Sequence, residues 1–239
     1  MAQLSVIIVV YNEKPTIEEV IRRVEAVSIP GMEKEILIVD DYSTDGTRDI
    51  LKNYEDRYDI TYHEKNTGKG GAVRTGFAKA RGDYVIIQDA DVEQNPQDFP
   101  ALLQPILDGI ADVTFGSRFA GKYLPERLVM SIHYKINRLF TFASNILTGY
   151  KTTDMWTGYK MYTRTAVDAI RPHLTSTGIE IEPEVTILLS KLGFRVVDVP
   201  ISYVPRWYDE GKKTNWKQAM RSFVKMIGFA CRKIPGGKH

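Results

Sequence analysis

The seven residues from Leu4 to Val10 are apolar except for Ser5, and β-branched side chains dominate the run. A strand with one wet face alternates polar and apolar residues. A run with almost nothing to offer water belongs to a strand covered on both faces, as in parallel sheets layered by helices. The same pattern continues along the chain. Thr16 to Val27 sets Ile17, Val20, Ile21 and Val24 at helical spacing, and Glu35 to Val39 reads as a second strand. A helix through Ile50, Leu51 and Tyr54, capped by Thr44 or Asp45, leads to a shorter strand at Ile60 to His63. Val73 to Ala80 reads as a further helix and Tyr84 to Gln88 as a buried strand. Strands alternating with helices predict an α/β fold with a mostly parallel central sheet flanked by helices.

Open α/β sheets bind ligands at the carboxyl edge of their strands. Polar groups collect there: Tyr11-Asn12-Glu13 after the first strand, Asp40 to Thr47 after the second, and Asp89-Ala90-Asp91 with Glu93 after the strand at Tyr84. Asp89 and Asp91 would point to opposite faces of an extended chain. A turn at Ala90 can aim both at one hard cation, with Glu93 as a third oxygen donor. Mg²⁺ or Mn²⁺ held this way completes its shell with phosphate oxygens and water. The plain alternative is a solvated acidic turn. Asn66 to Ala72 holds Gly68, Gly70 and Gly71 before a helix, so its amides are expected to favour an anion. It matches neither the nucleotide-hydrolase phosphate loop nor the dinucleotide-binding fingerprint.

Composition narrows the class. The 239 residues carry 32 basic and 30 acidic side chains, a net charge of +2 that argues against a dedicated nucleic-acid binder. Cys231 is the single cysteine, so no disulfide framework exists and a reducing compartment is the default. No cleavable leader is read at the amino terminus. No apolar run approaches the roughly 18–20 residues that span a bilayer. The expected setting is cytoplasmic, and any membrane is met at its cytoplasmic surface.

The ordered series Tyr11-Asn12-Glu13, Asp40-Asp41-x-Ser43-Thr44-Asp45-Gly46-Thr47, Asn66-x-Gly68-Lys69-Gly70 and Asp89-Ala90-Asp91 resembles the family 2 glycosyltransferases of the GT-A fold. Within them it is most similar to the polyprenyl-phosphate sugar transferases, the dolichol-phosphate mannosyltransferase-like group. The resemblance implies a metal-dependent, inverting transfer of a hexose from a nucleotide sugar such as GDP-mannose or UDP-glucose to polyprenyl or dolichyl phosphate. It places Tyr11, Glu13, Val39, Asp41, Lys69 and Ala90 around the donor, and Asp89, Asp91 and Glu93 on Mg²⁺ or Mn²⁺, with Asp91 central to catalysis. Arg206 and Lys212 would engage the donor diphosphate from a lid-like loop, and His133 and Arg138 the acceptor phosphate. Two departures stand out: Val9 or Val10 where relatives often carry Pro, and Tyr42 where Gly is frequent. Donor identity is therefore not carried over.

Asp112 to Arg118 is a further strand ending in a guanidinium that suits two phosphate oxygens. Met130 to Thr148 carries an apolar helical stripe (Ile132, Ile136, Leu139, Phe140, Ala143, Ile146, Leu147) whose expected job is core packing. Thr153 to Lys160 matches a family signature in which a carboxylate, here Asp154, serves as general base when the acceptor is a hydroxyl. An acceptor phosphate is already ionised, and Asp154 is then free to orient a cation. Glu180, Glu182 and Glu184 precede an apolar helix, and Phe194 to Tyr203 reads as a late strand. Residues 1–212 are expected to form the catalytic domain. Residues 213–239 are expected to form a basic amphipathic helix and tail, with Trp216, Met220, Phe223, Ile227 and Cys231 on one face, for the membrane or for packing on the domain. The competing functions are a transferase acting on a sugar hydroxyl and a silent nucleotide-sugar-binding module.

Overall fold

A computed structural model describes residues 1–121, 132–204 and 216–235. Among these, the strands are β1 (Ala2–Val10), β2 (Met32–Asp40), β3 (Asp59–Tyr62), β4 (Tyr84–Asp89), β5 (Val113–Ser117), β6 (Lys160–Thr163) and β7 (Val196–Pro200). They form one sheet in the order β3-β2-β1-β4-β6-β5-β7. Every pairing is parallel except the two made by β6, which runs against both β4 and β5. The apolar run at the amino terminus is buried from Leu4 to Val10, the central strand position that its composition required.

Helices cover both faces. Helix α1 (Ile17–Ala26) buries Ile17, Val20, Ile21 and Val24. With α4 (Phe99–Leu107) it packs on the side-chain set Val6, Ile8, Val10 and Ile38 of the sheet. Helices α3 (Lys69–Lys79), α6 (Arg164–Ile170) and α7 (Ile181–Lys191) cover Ile7, Val9, Leu37, Val85 and Ile87 on the other face. The short α2 (Thr47–Leu51) follows Asp45, whose carboxylate accepts the Thr47 N–H at 3.0 Å. The cap position itself is taken by Gly46, with a φ of 96°, and not by Thr44 or Asp45; Asp45 supports the turn from one residue earlier.

Helix α3 begins four residues earlier than its apolar pattern implied, so Gly70 and Gly71 join Gly76 inside it. Close packing explains why the helix tolerates them. A Cβ on Gly76 would stand 2.3 Å from Ile7 Cγ2, and one on Gly70 2.6 Å from the Ser176 carbonyl oxygen. Strand β6 was not anticipated. It is only four residues long and opens on a buried lysine, which hides any apolar signature.

Two further helices, α5 (Ile132–Thr148) and α8 (Trp216–Cys231), pack against each other and against α7. Phe140 stacks on Phe223 with ring centroids 4.4 Å apart, beside buried Met155, Ile187 and Met226. Core packing was expected for the whole α5 stripe, but among its described side chains only Phe140 is buried, with Ile136 and Ala143 partly so. Leu139, Phe142, Ile146 and Leu147 are exposed. The helix has more apolar residues than one packing face can take. In α8 the buried face is likewise offset from the expected stripe: Met226 is buried, whereas Met220, Val224, Ile227 and Cys231 face outward. Among the described residues no helix is long and apolar enough to cross a membrane.

Candidate active site

The chain order reverses direction in the sheet between β1 and β4, which leaves a crevice beyond their carboxyl ends. Asp89 ends β4, and the chain then bends so that the Ala90 N–H donates to the Val9 carbonyl at 3.2 Å. The Ala90 carbonyl accepts the Thr16 hydroxyl at 2.9 Å, which pins the bend to the start of α1. Asp91 Oδ1 accepts the Glu93 N–H at 3.2 Å.

Lys69, the first residue of α3, brings a cation to these acids. Its Nζ donates to Asp89 Oδ2 at 3.0 Å, lies 2.8 Å from Oδ1 and reaches Glu182 Oε1 at 3.3 Å. Burial works against the charge on Lys69, but Asp89, Glu182 and Asp91 outweigh it and hold the ammonium above its ordinary range. Glu182 is gripped from behind by Lys160, which is fully buried and also donates to the carbonyls of Met155 and Thr157. Burial is the main influence on Lys160 and lowers it from its ordinary value against the pull of Glu182. Gly158 lines this cluster. A Cβ there would sit 2.5 Å from Lys69 Nζ and 2.9 Å from Asp89 Oδ2.

Asp41 acts as an organiser. Its Oδ1 accepts the Thr67 N–H at 2.8 Å and the Thr67 hydroxyl at 2.7 Å, and lies 2.8 Å from His63 Nδ1. Its Oδ2 accepts the Gly68 N–H at 2.7 Å. The Gly71 N–H donates to the Thr177 carbonyl at 3.1 Å. The amides expected to face an anion are thus largely engaged within the protein, and the glycine-rich segment offers the Lys69 ammonium instead. Val39 lies in the core, two places before Asp41. Glu13 is buried and accepts the Thr16 hydroxyl at 3.0 Å, whereas Tyr11 is exposed at the end of β1.

A second cluster lies toward β5 and β6. Arg118 donates Nε to Asp154 Oδ2 at 2.6 Å and Nη2 to Oδ1 at 2.7 Å, and Asn137 Nδ2 adds a bond to Oδ1 at 3.0 Å. Asp154 is fully buried. Burial opposes the charge on Arg118, yet Asp154 and then Tyr203 hold it well above the usual range. Arg138, exposed on α5, donates to the Thr153 carbonyl at 3.3 Å. The Tyr203 ring lies 5.3 Å from the Arg118 guanidinium carbon, and its hydroxyl donates to Glu93 Oε2 at 2.8 Å. This chain of contacts joins the acidic bend to the guanidinium. The side chain of His133, and Arg206 and Lys212 entirely, lie outside the described residues.

Among the described residues no three His, Cys, Asp or Glu side chains are gathered to hold a metal by themselves. The donor set nevertheless fits a hard cation, because the Asp89 carboxylate is partly exposed at a strand end with Asp91 nearby. A cation there would take few protein oxygens and fill its shell from a diphosphate and water, as Mg²⁺ and Mn²⁺ commonly do. Sequence reasoning missed the parts that act through others: Lys160, Glu182, Asn137, Tyr203, and Gln94, whose Nε2 donates to Asp89 Oδ2 at 3.3 Å. Glu182 and Lys160 lay in stretches that the sequence singled out, the acids before the late helix and the end of the Thr153–Lys160 signature, but nothing there named their partners.

The chain is 27% identical, over 97% of both sequences, to the UDP-N-acetylglucosamine–dolichyl-phosphate N-acetylglucosaminyltransferase of Methanococcus voltae. It is 30% identical to glycosyltransferase AglJ of Haloferax volcanii, over 86% of this chain and 63% of that one. Glucosyl-3-phosphoglycerate synthase from Mycobacterium tuberculosis, solved with Mn²⁺, UDP and glucosyl-3-phosphoglycerate, superposes with a TM-score of 0.68 at 20% identity. That superposition covers 96% of this chain and 80% of the synthase, and shows a shared GT-A fold. The model of glycosyl transferase family 2 matches residues 5–171, which contain the acidic bend, the Lys69 cradle and the Arg118–Asp154 pair, and the chain belongs to that family.

Proposed function

We propose that this glycosyltransferase moves a hexose or hexosamine, with inversion, from a nucleotide sugar to a polyprenyl or dolichyl phosphate. The observation that carries the reading is the state of Asp154. Buried, with Arg118 on both oxygens and Asn137 on one, it is poorly placed to take a proton from a hydroxyl. A phosphate acceptor needs no base near neutrality; it needs a cation to receive it. Arg118, fixed by Asp154, and exposed Arg138 supply that charge next to the crevice. The relative named for a UDP-sugar donor and a dolichyl-phosphate acceptor supports the same reading.

In this scheme Lys69 faces the donor diphosphate while Asp89 and Asp91 hold Mg²⁺ or Mn²⁺. The metal, when bound, supplies Lewis-acid neutralisation of the leaving diphosphate. An oxygen of the lipid phosphate forms the new bond to C1 as the bond from C1 to the diphosphate breaks. The nucleoside diphosphate leaves, and no proton need move. The chain's contribution is positioning and fixed charge. Arg206 and Lys212 are assigned to the diphosphate and His133 to the acceptor phosphate on the sequence resemblance alone.

The acceptor also needs a place for its lipid. Leu139, Phe142 and Ile146 lie exposed on α5, and Met220, Val224 and Ile227 on α8. Neither helix contains an acidic residue, and Lys135, Arg138, Arg221 and Lys225 are interspersed. Apolar side chains among cations suit the surface of an anionic membrane, and we assign the enzyme to the cytoplasmic face of one. The test is transfer of labelled sugar from a panel of UDP- and GDP-sugars, with Mn²⁺ or with chelator, into polyprenyl phosphate or into free sugar acceptors. Metal-dependent product that extracts into organic solvent is expected. Product on sugar hydroxyls alone would replace this reading with the hydroxyl-acceptor one, and donor binding without any transfer would revive the silent module.

A further inference from the structure

Tyr42 follows Asp41 at the carboxyl end of β2 with a φ of 69°. A left-handed backbone is easy for glycine and tolerable for asparagine, but for a bulky aromatic residue it is an outlier. Such a conformation persists only where its surroundings over-determine it, and it concentrates at ligand sites. Arg48 provides the constraint. Its guanidinium lies 5.2 Å from the centre of the Tyr42 ring and 5.4 Å from that of Tyr62. Arg48 is itself anchored, donating to Asp40 Oδ1 and to the His63 carbonyl, each at 2.5 Å. The core gains little from this, since Tyr42 is 42% exposed.

The ring's location gives it a use. Tyr11, the other exposed tyrosine at this edge, ends the neighbouring strand β1. The loops after β1 and β2 form one unit, because the Asn12 N–H donates to Ser43 Oγ and the Thr44 N–H to Asn12 Oδ1, each at 2.8 Å. Lys69 and Asp89 mark the place of the diphosphate. Arg118, Arg138 and the apolar face of α5 occupy the β5–β6 side, where the acceptor enters. The nucleoside is left with the β1–β2 side, where both tyrosines stand.

We infer that Tyr42 selects the base of the donor: its ring, braced on Arg48, bounds the nucleoside pocket so that a single-ring pyrimidine fits and the second ring of a purine does not. The inference rests on the donor-site reading above. The test is calorimetric binding of UDP and of GDP, each with Mn²⁺, to the wild type and to Tyr42→Gly and Tyr42→Phe, with the melting temperature of each protein. The wild type should bind UDP at least about tenfold tighter than GDP, a discrimination typical of steric fit in a pocket. Tyr42→Gly should shrink that ratio to about threefold or less. It should melt no lower than the wild type, because glycine relaxes the left-handed backbone. Tyr42→Phe should keep the ratio, because the ring and not the hydroxyl does the excluding. An unchanged ratio in Tyr42→Gly, or a wild type that binds GDP as well as UDP, overturns the role of Tyr42 and leaves the donor site standing. If neither nucleotide binds the wild type, the donor-site reading fails and the inference with it.

Discussion

Arg118 and Asp154 meet through two parallel hydrogen bonds of 2.6 and 2.7 Å, a fork-to-fork pair in which the carboxylate is fully buried and the guanidinium partly exposed. This geometry holds the guanidinium plane in one orientation and leaves its outer edge for an anion. Arg118→Ala would strand the buried carboxylate and is expected to cost about 3–5 kcal/mol in urea unfolding. Arg118→Lys keeps the charge but loses the fork. That variant should remain folded while transfer to polyprenyl phosphate falls by about 100-fold. A fully active Arg118→Lys would contradict the assignment.

The Lys160–Glu182 pair is buried, so removing one partner should hurt more than removing both. Glu182→Ala is expected to lose about 3–5 kcal/mol, with buried Lys160 left without its counter-charge beside Phe115 and the surrounding backbone carbonyls. Combining it with Lys160→Met should restore much of that stability. Urea midpoints of the two single variants and the double variant decide the matter. Additive losses would mean that the pair does not act as one unit.

Gly158 leaves room for Lys69 and Asp89 to meet. In Gly158→Ala the new methyl would stand 2.5 Å from the ammonium, and the flexible lysine end would have to move. Because the displaced atoms belong to the site, transfer should drop by about 10- to 100-fold while the melting temperature changes little. Rate and melting curve measured on the same preparation test this. A loss of stability without a loss of rate would place the role of Gly158 in folding alone.

Metal and nucleotide should bind together. Lys69 already occupies the Asp89 carboxylate, and among the described residues no three-ligand group stands ready for a cation. Mn²⁺ affinity, read by electron paramagnetic resonance, is therefore expected to rise about tenfold or more when UDP is present. Equal affinity with and without UDP would show that the protein alone completes the metal site.

Asp45 ties the loop after β1 to that after β2, accepting the Lys14 N–H at 3.0 Å and the Thr47 N–H and hydroxyl. Partial burial raises its pKa, but these hydrogen bonds outweigh it and hold the carboxyl below its ordinary 3.8. A depressed folded value means that the stabilisation is fully present above 3.8 and is lost as pH falls through the folded pKa. Wild type should exceed Asp45→Asn in urea midpoint at pH 6, and the gap should close as the pH drops below 3.8. A gap that widens on acidification would reverse the assignment.

Much of the architecture was legible in the chain. Leu4 to Val10 could only be a doubly covered strand, and the spacing of Ile17, Val20, Ile21 and Val24 could only turn one face of a helix to the sheet. Periodicity records local burial, and local burial is what a sequence encodes most directly. The positions of Asp89, Asp91 and Arg118 at strand ends followed from the same pattern. Strand β6 escaped because four residues opening on a charged lysine carry no such record.

What only the tertiary structure decided is how the charges pair. Lys69 reaches Glu182 across 113 residues of chain and Arg118 reaches Asp154 across 36, and nothing in either neighbourhood names the partner. It also decided that Asp41 gathers the glycine-rich segment, that Asp154 pairs with Arg118, and that α5 leaves Leu139 and Phe142 exposed. Composition establishes which groups a chain owns. A buried ion pair depends on distance and orientation within ångströms, in surroundings of low dielectric, and those exist only once the sheet and its helices have closed.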